Sequence, residues 1–247
     1  MFAAVTDQPT VSEFPAIRGL PLGLQKLAES NKIQIDQHLD LVEVILGWSR
    51  PNRYSVYHSP KEDNQHFLYI EEVSDCYARQ CLGAARSFIL KFTDQDLNEV
   101  VQVERMATCT RGCCCLVACN LPELSVETPP GVLVATIREE KTCFRPVYQI
   151  YDAEDTPLYS LQTKCCYPKV YSCFSDISIM ITDVETGDEI AELSKQTKKS
   201  GREFTGAENK IFIEYLKDLD VKQKVILLCS MFLIDFHFFE HDSRWCC

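Results

Sequence analysis

At 247 residues, 46% hydrophobic and 25% charged, the chain has the composition of an ordinary globular protein and the length for one large domain with a sizeable core. A formal net charge of -11 argues against a nucleic-acid binder, which usually shows a basic face, and against attachment to anionic membranes by charge alone. Fourteen cysteines would imply disulfides in a secreted protein, but residues 1 to 22 hold no apolar core of the signal-peptide kind, so the thiols are read as reduced and cytosolic.

Residues 1–19, with Pro9, Pro15 and little periodicity, read as a flexible N-terminal tail. The domain is expected over 20–240, beginning with a strand somewhere in Asn31 to Trp48. RYSVYHSPKEDNQHFLYIEE (53 to 72) and SFILKFTDQDLNEVVQVER (87 to 105) each show a run of β-branched and aromatic residues in period two, an acidic polar turn and a second such run. Each predicts a β-hairpin.

CTRGCCCLVAC (109 to 119) follows, carrying Cys109, Cys113, Cys114, Cys115 and Cys119 ahead of the Pro122 break. No C-x-x-C spacing exists in the chain and its five histidines lie away from this cluster, which argues against a structural zinc. Clustered thiols beside Leu116 and Val117 on an exposed connection suit S-palmitoylation. The alternative is that some of them are small buried hydrophobes.

Further hairpins are expected at 123 to 140, turning on Pro129, Pro130 and Gly131, and at 147 to 163 and 177 to 194. KQTKKSGR (195 to 202) is a short basic run, read as a solvated loop or a contact for anionic headgroups. In TGAENKIFIEYLKDLD, Glu208, Asn209, Glu214, Asp218 and Asp220 offer oxygens to calcium, but the spacing fails the EF-hand pattern. An edge strand at Lys210 to Tyr215, followed by a helix N-terminus that favours acids, explains them equally well.

KVILLCSMFLIDFHFFE (224 to 240) is apolar on every side of a helical wheel. It falls short of the roughly 20 apolar residues a membrane span needs, and Asp235 and His237 interrupt it. A helix over 222–240 enclosed by protein is therefore expected. About twelve antiparallel strands and one such helix point to a mainly β fold, a closed barrel that removes its sheet edges and is filled by the helix. Residues 241–247, ending in Cys246 and Cys247, read as a tail. Nothing supplies a nucleophile with its base, a phosphate loop or a carboxylate pair, so no enzyme is expected.

LPLGLQKL (20 to 27), QIDQHLDLVEVILGW (34 to 48), the three cysteines at 113 to 115, ETPPGV (127 to 132) and DLDVKQKVILLCSMFLIDFHFFE (218 to 240) together resemble a phospholipid scramblase, over about residues 20 to 240. The resemblance implies a tubby-like barrel of twelve strands around a hydrophobic C-terminal helix. It also implies ATP-independent, calcium-responsive movement of phospholipid between leaflets, a palmitoylated cysteine segment, and residence at the cytoplasmic face of the plasma membrane, with a nuclear or cytosolic pool when not acylated.

Three departures qualify it. About nineteen unpatterned residues stand where family members usually carry a proline-rich region, so partners that read proline motifs are not expected. Gly206 aligns with the first Asp of the family's calcium segment, Glu208 with its second, and one residue is inserted before Asp218, leaving Glu208, Asn209 and Asp218 as the implied ligands of a weakened site. The cysteine motif reads CCCLVAC where the family has a cysteine-proline-cysteine block. A second function class fits the same features: a palmitoyl-anchored adaptor barrel without lipid transport.

Overall fold

A computed structural model describes residues 20–38, 50–61, 65–107, 121–142, 146–163, 177–196 and 210–236. Helix α1 (Leu22–Glu29) leads into strand β1 (Lys32–Gln37), followed by β2 (Arg53–His58) and β3 (Leu68–Val73). Helix α2 (Cys76–Leu82) and a 3-10 turn (Gly83–Ala85) come next, then β4 (Phe88–Asp94), β5 (Glu99–Arg105), β6 (Glu123–Thr128) and β7 (Val132–Glu139). The chain continues through β8 (Val147–Asp152), β9 (Pro157–Thr163), β10 (Ile177–Asp183), β11 (Glu189–Gln196) and β12 (Lys210–Tyr215) to helix α3 (Val221–Ile234). Every strand pairs antiparallel with its sequence neighbours, and β12 closes on β1 in register Lys32 with Glu214.

The five expected hairpins and the strand at 210 to 215 form as the period-two pattern predicts. One strand face points inward, as in Phe88, Leu90 and Phe92 of β4. The outer face carries ion pairs, Lys32–Glu214, Arg53–Glu71, Lys91–Glu99 and Arg138–Glu123. Apolar inside and charged outside is the reverse of a lipid-embedded barrel, whose outer band is apolar.

Helix α3 fills the lumen, and every residue from Lys224 to Ile234 is buried. Fourteen residues span about 21 Å at 1.5 Å per residue, matching six- to eight-residue strands at about 3.3 Å per residue. The helix starts one residue earlier than expected, at Val221, because Asp220 and Gln223 form a reciprocal capping box there. Residues 237–240 of the expected helix lie outside the described residues. Among the described residues no helix is long and apolar enough to cross a membrane.

Helix α1 shuts the end of the barrel where α3 enters. Leu24 and Leu27 are buried, and Lys224 of α3 donates to the carbonyls of Ala28 and Ser30. Gly23 permits this seat, since a Cβ there would lie 2.7 Å from Leu68 Cδ2 and 2.8 Å from the Phe67 carbonyl. The short hairpin turns project from the same end, and three use one device. Asp94, Asp152 and Asp183 each close a strand by accepting backbone N–H groups of their own turn through Oδ1. The connections at the opposite end, 38–52, 74–87, 106–122, 140–146, 164–176 and 197–209, are longer than these turns, as is 59–67 at the turn end itself.

Candidate functional site

Where α3 finishes, the barrel interior changes from aliphatic to charged. The inward phase of β3 runs Leu68, Ile70, Glu72, that of β5 ends Val101, Val103, Arg105, and that of β11 runs Ala191, Leu193, Lys195. In each case the last inward residue, at the long-connection end, is ionic and buried. Asp235, directly after α3, accepts from Lys195 Nζ at 2.8 Å and from the Tyr54 hydroxyl at 2.9 Å. Lys195 therefore does not belong to an exposed basic run, as the sequence suggested, but to the strand. The inward phase that places Leu193 on α3 places Lys195 beside Asp235.

A second pair lies next to the first. Arg86 donates from Nε and Nη2 to the two carboxylate oxygens of Glu72, at 2.7 and 2.8 Å, with both side chains sealed from solvent. Burial pulls the Glu72 carboxyl upward, but the Arg86 guanidinium, with the Ser74 hydroxyl and the Asn52 N–H, outweighs it and holds the group below its ordinary value. The rings of Phe88 and Phe236 stack at 4.1 Å, and Arg86 and Arg105 lie over them.

These contacts fix the axial position and rotation of α3. A buried pair adds little net stability over an apolar substitute, yet breaking it is expensive, so it selects the arrangement in which partners meet. Asp235 thus has a physical reason to interrupt the apolar run: it ties the helix to β2 and β11. Ser230, the other polar residue of the run, is satisfied within the helix by the Leu227 carbonyl.

Helix α2 stands above this collar. Asp75 caps it by accepting from the Ala78 N–H, Arg79 donates to the Ser74 carbonyl and hydroxyl, and Ser74 donates to Glu72. None of its residues is buried. Sequence periodicity missed α2 for that reason: its half-buried side, Ala78, Arg79 and Gln80, carries no apolar stripe.

Cys109, Cys113, Cys114, Cys115 and Cys119 lie outside the described residues, as do Glu208 and Asn209. The strands that flank the cysteine segment are described: β5 ends at Arg105 and β6 begins at Glu123, both at the end that carries α2. Asp218 is exposed in the connection before α3, at the turn end. The six residues of β12 place about 17 Å of strand between Lys210, which follows Asn209, and Tyr215, which precedes Asp218. Among the described residues no three His, Cys, Asp or Glu side chains gather as a metal site would need.

A family model described as Scramblase matches residues 11–241. Phospholipid scramblase 1 of Mus musculus is 33% identical over 225 residues, 91% of this chain and 66% of that protein. Phospholipid scramblase 1 of Homo sapiens is 32% identical over 221 residues, 89% of this chain and 66% of that protein. This chain thus spans just under two thirds of the length of those two relatives. Phospholipid scramblase family member 5 of Homo sapiens is 31% identical over 235 residues, 95% of this chain and 83% of that protein. No solved structure matches. A closed twelve-strand barrel filled by its own C-terminal helix, matched by that model along nearly its whole length, belongs to the scramblase family.

Proposed function

We propose that this protein is a lipid-anchored scramblase-family barrel, attached at the cytoplasmic face of the plasma membrane, that promotes ATP-independent, calcium-responsive, bidirectional transbilayer movement of phospholipids without enzymatic catalysis. The observation that carries the reading is family membership over residues 11–241. The anchor is palmitate in thioester linkage on Cys113, Cys114, Cys115 and Cys119, with Cys109 as a further acceptor. Two or more acyl chains make attachment stable, each buried CH₂ contributing about 0.8 kcal/mol, and a net charge of -11 leaves little electrostatic alternative. A cytosolic or nuclear pool forms when the chains are removed.

The calcium part of the reading, with Glu208, Asn209 and Asp218 as ligands, carries an affinity no tighter than about 10⁻⁴ M, because Gly206 contributes no side-chain oxygen and the length of β12 separates Asn209 from Asp218. Purified protein in vesicles carrying a fluorescent phospholipid on one leaflet tests the whole reading. Flux above empty vesicles supports transport, and its ratio with and without calcium measures the metal's part.

A second reading has its own observation in favour. The apolar helix that would offer a path through the bilayer is enclosed by the barrel and tied there by Asp235 and Lys195. In that case the protein is a tethered adaptor that presents its surface to protein partners. Flux equal to that of empty vesicles, with membrane attachment intact, selects it.

A further inference from the structure

We infer that helix α2 is a second lipid-modified, membrane-contacting element, with Cys76 and Cys81 as S-acylation sites flanking Tyr77; the inference rests on the membrane-anchored reading above. A seven-residue helix is too short to persist by itself and normally forms because tertiary packing buries one of its faces. This one has no fully buried residue and packs only the half-buried Ala78, Arg79 and Gln80. It is held from below, by the Asp75 cap and by Arg79 and Ser74 hydrogen-bonded down to the Glu72–Arg86 pair. With about 3.6 residues per turn, Cys76, Gln80, Tyr77 and Cys81 fall within an arc of about 140°.

Both thiols on that arc are exposed, and Tyr77 between them is 80% exposed. Val73, Leu82 and Met106 add exposed apolar surface at the same end, at 49%, 47% and 74%; the turn end exposes Leu97, Val184 and Leu216 as well, so the paired thiols and the charge, not apolar exposure, distinguish the α2 end. Tyrosine and aliphatic side chains beside acylated thiols are the composition of an interfacial contact.

Charge distribution and topology point to the same occupant, a lipid surface. The turn end exposes Asp96, Glu154, Glu185, Asp218 and Asp220, together with Asp155 and Asp188, which pair with Arg138 and Lys217, leaving an excess of carboxylates that an anionic leaflet repels. The α2 end exposes fewer acids, Asp75, Glu104 and Glu123, alongside Arg50 and Lys141. Cysteines follow the same division. Cys76, Cys81, Cys109, Cys113, Cys114, Cys115, Cys119, Cys143, Cys165, Cys166 and Cys173 all fall in sequence between strands joined at the α2 end, and none falls between strands joined at the turn end. The barrel thus stands on the bilayer with its α2 end down and its acidic turns in water.

In the chemical step the deprotonated sulfur of Cys76 or Cys81 attacks the carbonyl of a long-chain acyl-coenzyme A. A new thioester forms, the donor thioester breaks, coenzyme A leaves as its thiol, and the proton balance closes through water without any change of oxidation state.

Full-length protein expressed in acylating cells, thiol-blocked, treated with neutral hydroxylamine and tagged with maleimide-polyethylene glycol, reads the number of thioesters directly. The Cys76→Ser/Cys81→Ser variant is expected to lose two mass steps from the wild-type ladder. A variant with serine at positions 109, 113, 114, 115 and 119 is expected to keep those two. Both serine sites of the first variant are exposed, so its melting temperature should equal the wild type's. An unchanged ladder in the first variant overturns the inference. An unchanged ladder in the second overturns the main anchor and leaves α2 standing. Photocrosslinking from position 77 to another polypeptide, with no thioester at Cys76 or Cys81, would instead make this face a protein-docking surface.

Discussion

The two ends of the barrel are built from opposite materials. At the turn end, connections such as 95–98, 129–131, 153–156 and 184–188 are about as short as antiparallel pairing allows, carboxylates serve the turns, and α1 seals the lumen. At the other end the connections are long, one carries a helix without a fully buried residue, and beneath it the lumen is closed by buried ion pairs rather than aliphatic packing. One end is organised for closing the barrel. The other holds α3 in place while leaving surface free for interaction, the division expected when a rigid scaffold carries function on its loops.

Substitutions in the collar should produce the largest losses. Asp235→Ala removes the carboxylate that Lys195 and Tyr54 both meet, and a broken buried pair costs about 3 to 5 kcal/mol. Denaturant unfolding of soluble protein measures it. A loss below about 1 kcal/mol would mean that α3 is positioned by aliphatic packing alone.

Arg86→Met attacks the neighbouring pair, and pH sharpens the result. In the wild type the depressed Glu72 pKa contributes stability above the unfolded carboxyl value of about 4.3, and the contribution is lost as pH falls through the lower folded value. Without Arg86, burial raises that pKa instead, so the variant loses stability as pH rises. The gap between wild type and variant should therefore be about 3 to 5 kcal/mol at pH 7 and narrower at pH 4. A gap that is constant with pH would show that Glu72 does not depend on Arg86.

At the turn end, Asp94→Ala should cost about 1 to 3 kcal/mol, since it strips buried acceptors from the N–H groups of Asp96 and Asn98. The loss is smaller than in the collar because freed N–H groups at an exposed turn can reach water. Equal losses at the two ends would erase the energetic distinction between them.

Much of this architecture is legible in the chain, for reasons that also explain what is not. Hairpins announce themselves because each strand alternates core and solvent, and α3 does so because it is apolar all round and too short to span. Lys195 was readable too: Ala191, Leu193 and Lys195 share one phase, but the adjoining Lys198 and Lys199 make it look like part of a loop. Glu72 and Arg105 repeat that pattern after Leu68, Ile70 and Val101, Val103. Their partners were not readable, because Arg86 lies outside any strand and only the closed topology brings Asp235 to Lys195 and Tyr54. Helix α1 hides behind Pro21 and buries only Gly23, Leu24 and Leu27, too few for a periodic signal.

The smallest expected effect is the most discriminating. Tyr77→Ala deletes an aromatic side chain, a change that costs about 3 to 5 kcal/mol in a core but falls within about 0.5 kcal/mol at a surface position without special contacts. Tyr77 is 80% exposed on a helix none of whose residues is buried, so the second regime applies. Denaturant midpoints for Tyr77→Ala and for Leu228→Ala, whose side chain is 1% exposed in α3, place the two regimes on one scale, with about 2 to 5 kcal/mol expected for the leucine. If Tyr77→Ala unfolds the protein as readily as Leu228→Ala, α2 is part of the scaffold and the contrast between the barrel ends fails. If it leaves stability untouched, that apolar surface is maintained for something other than folding.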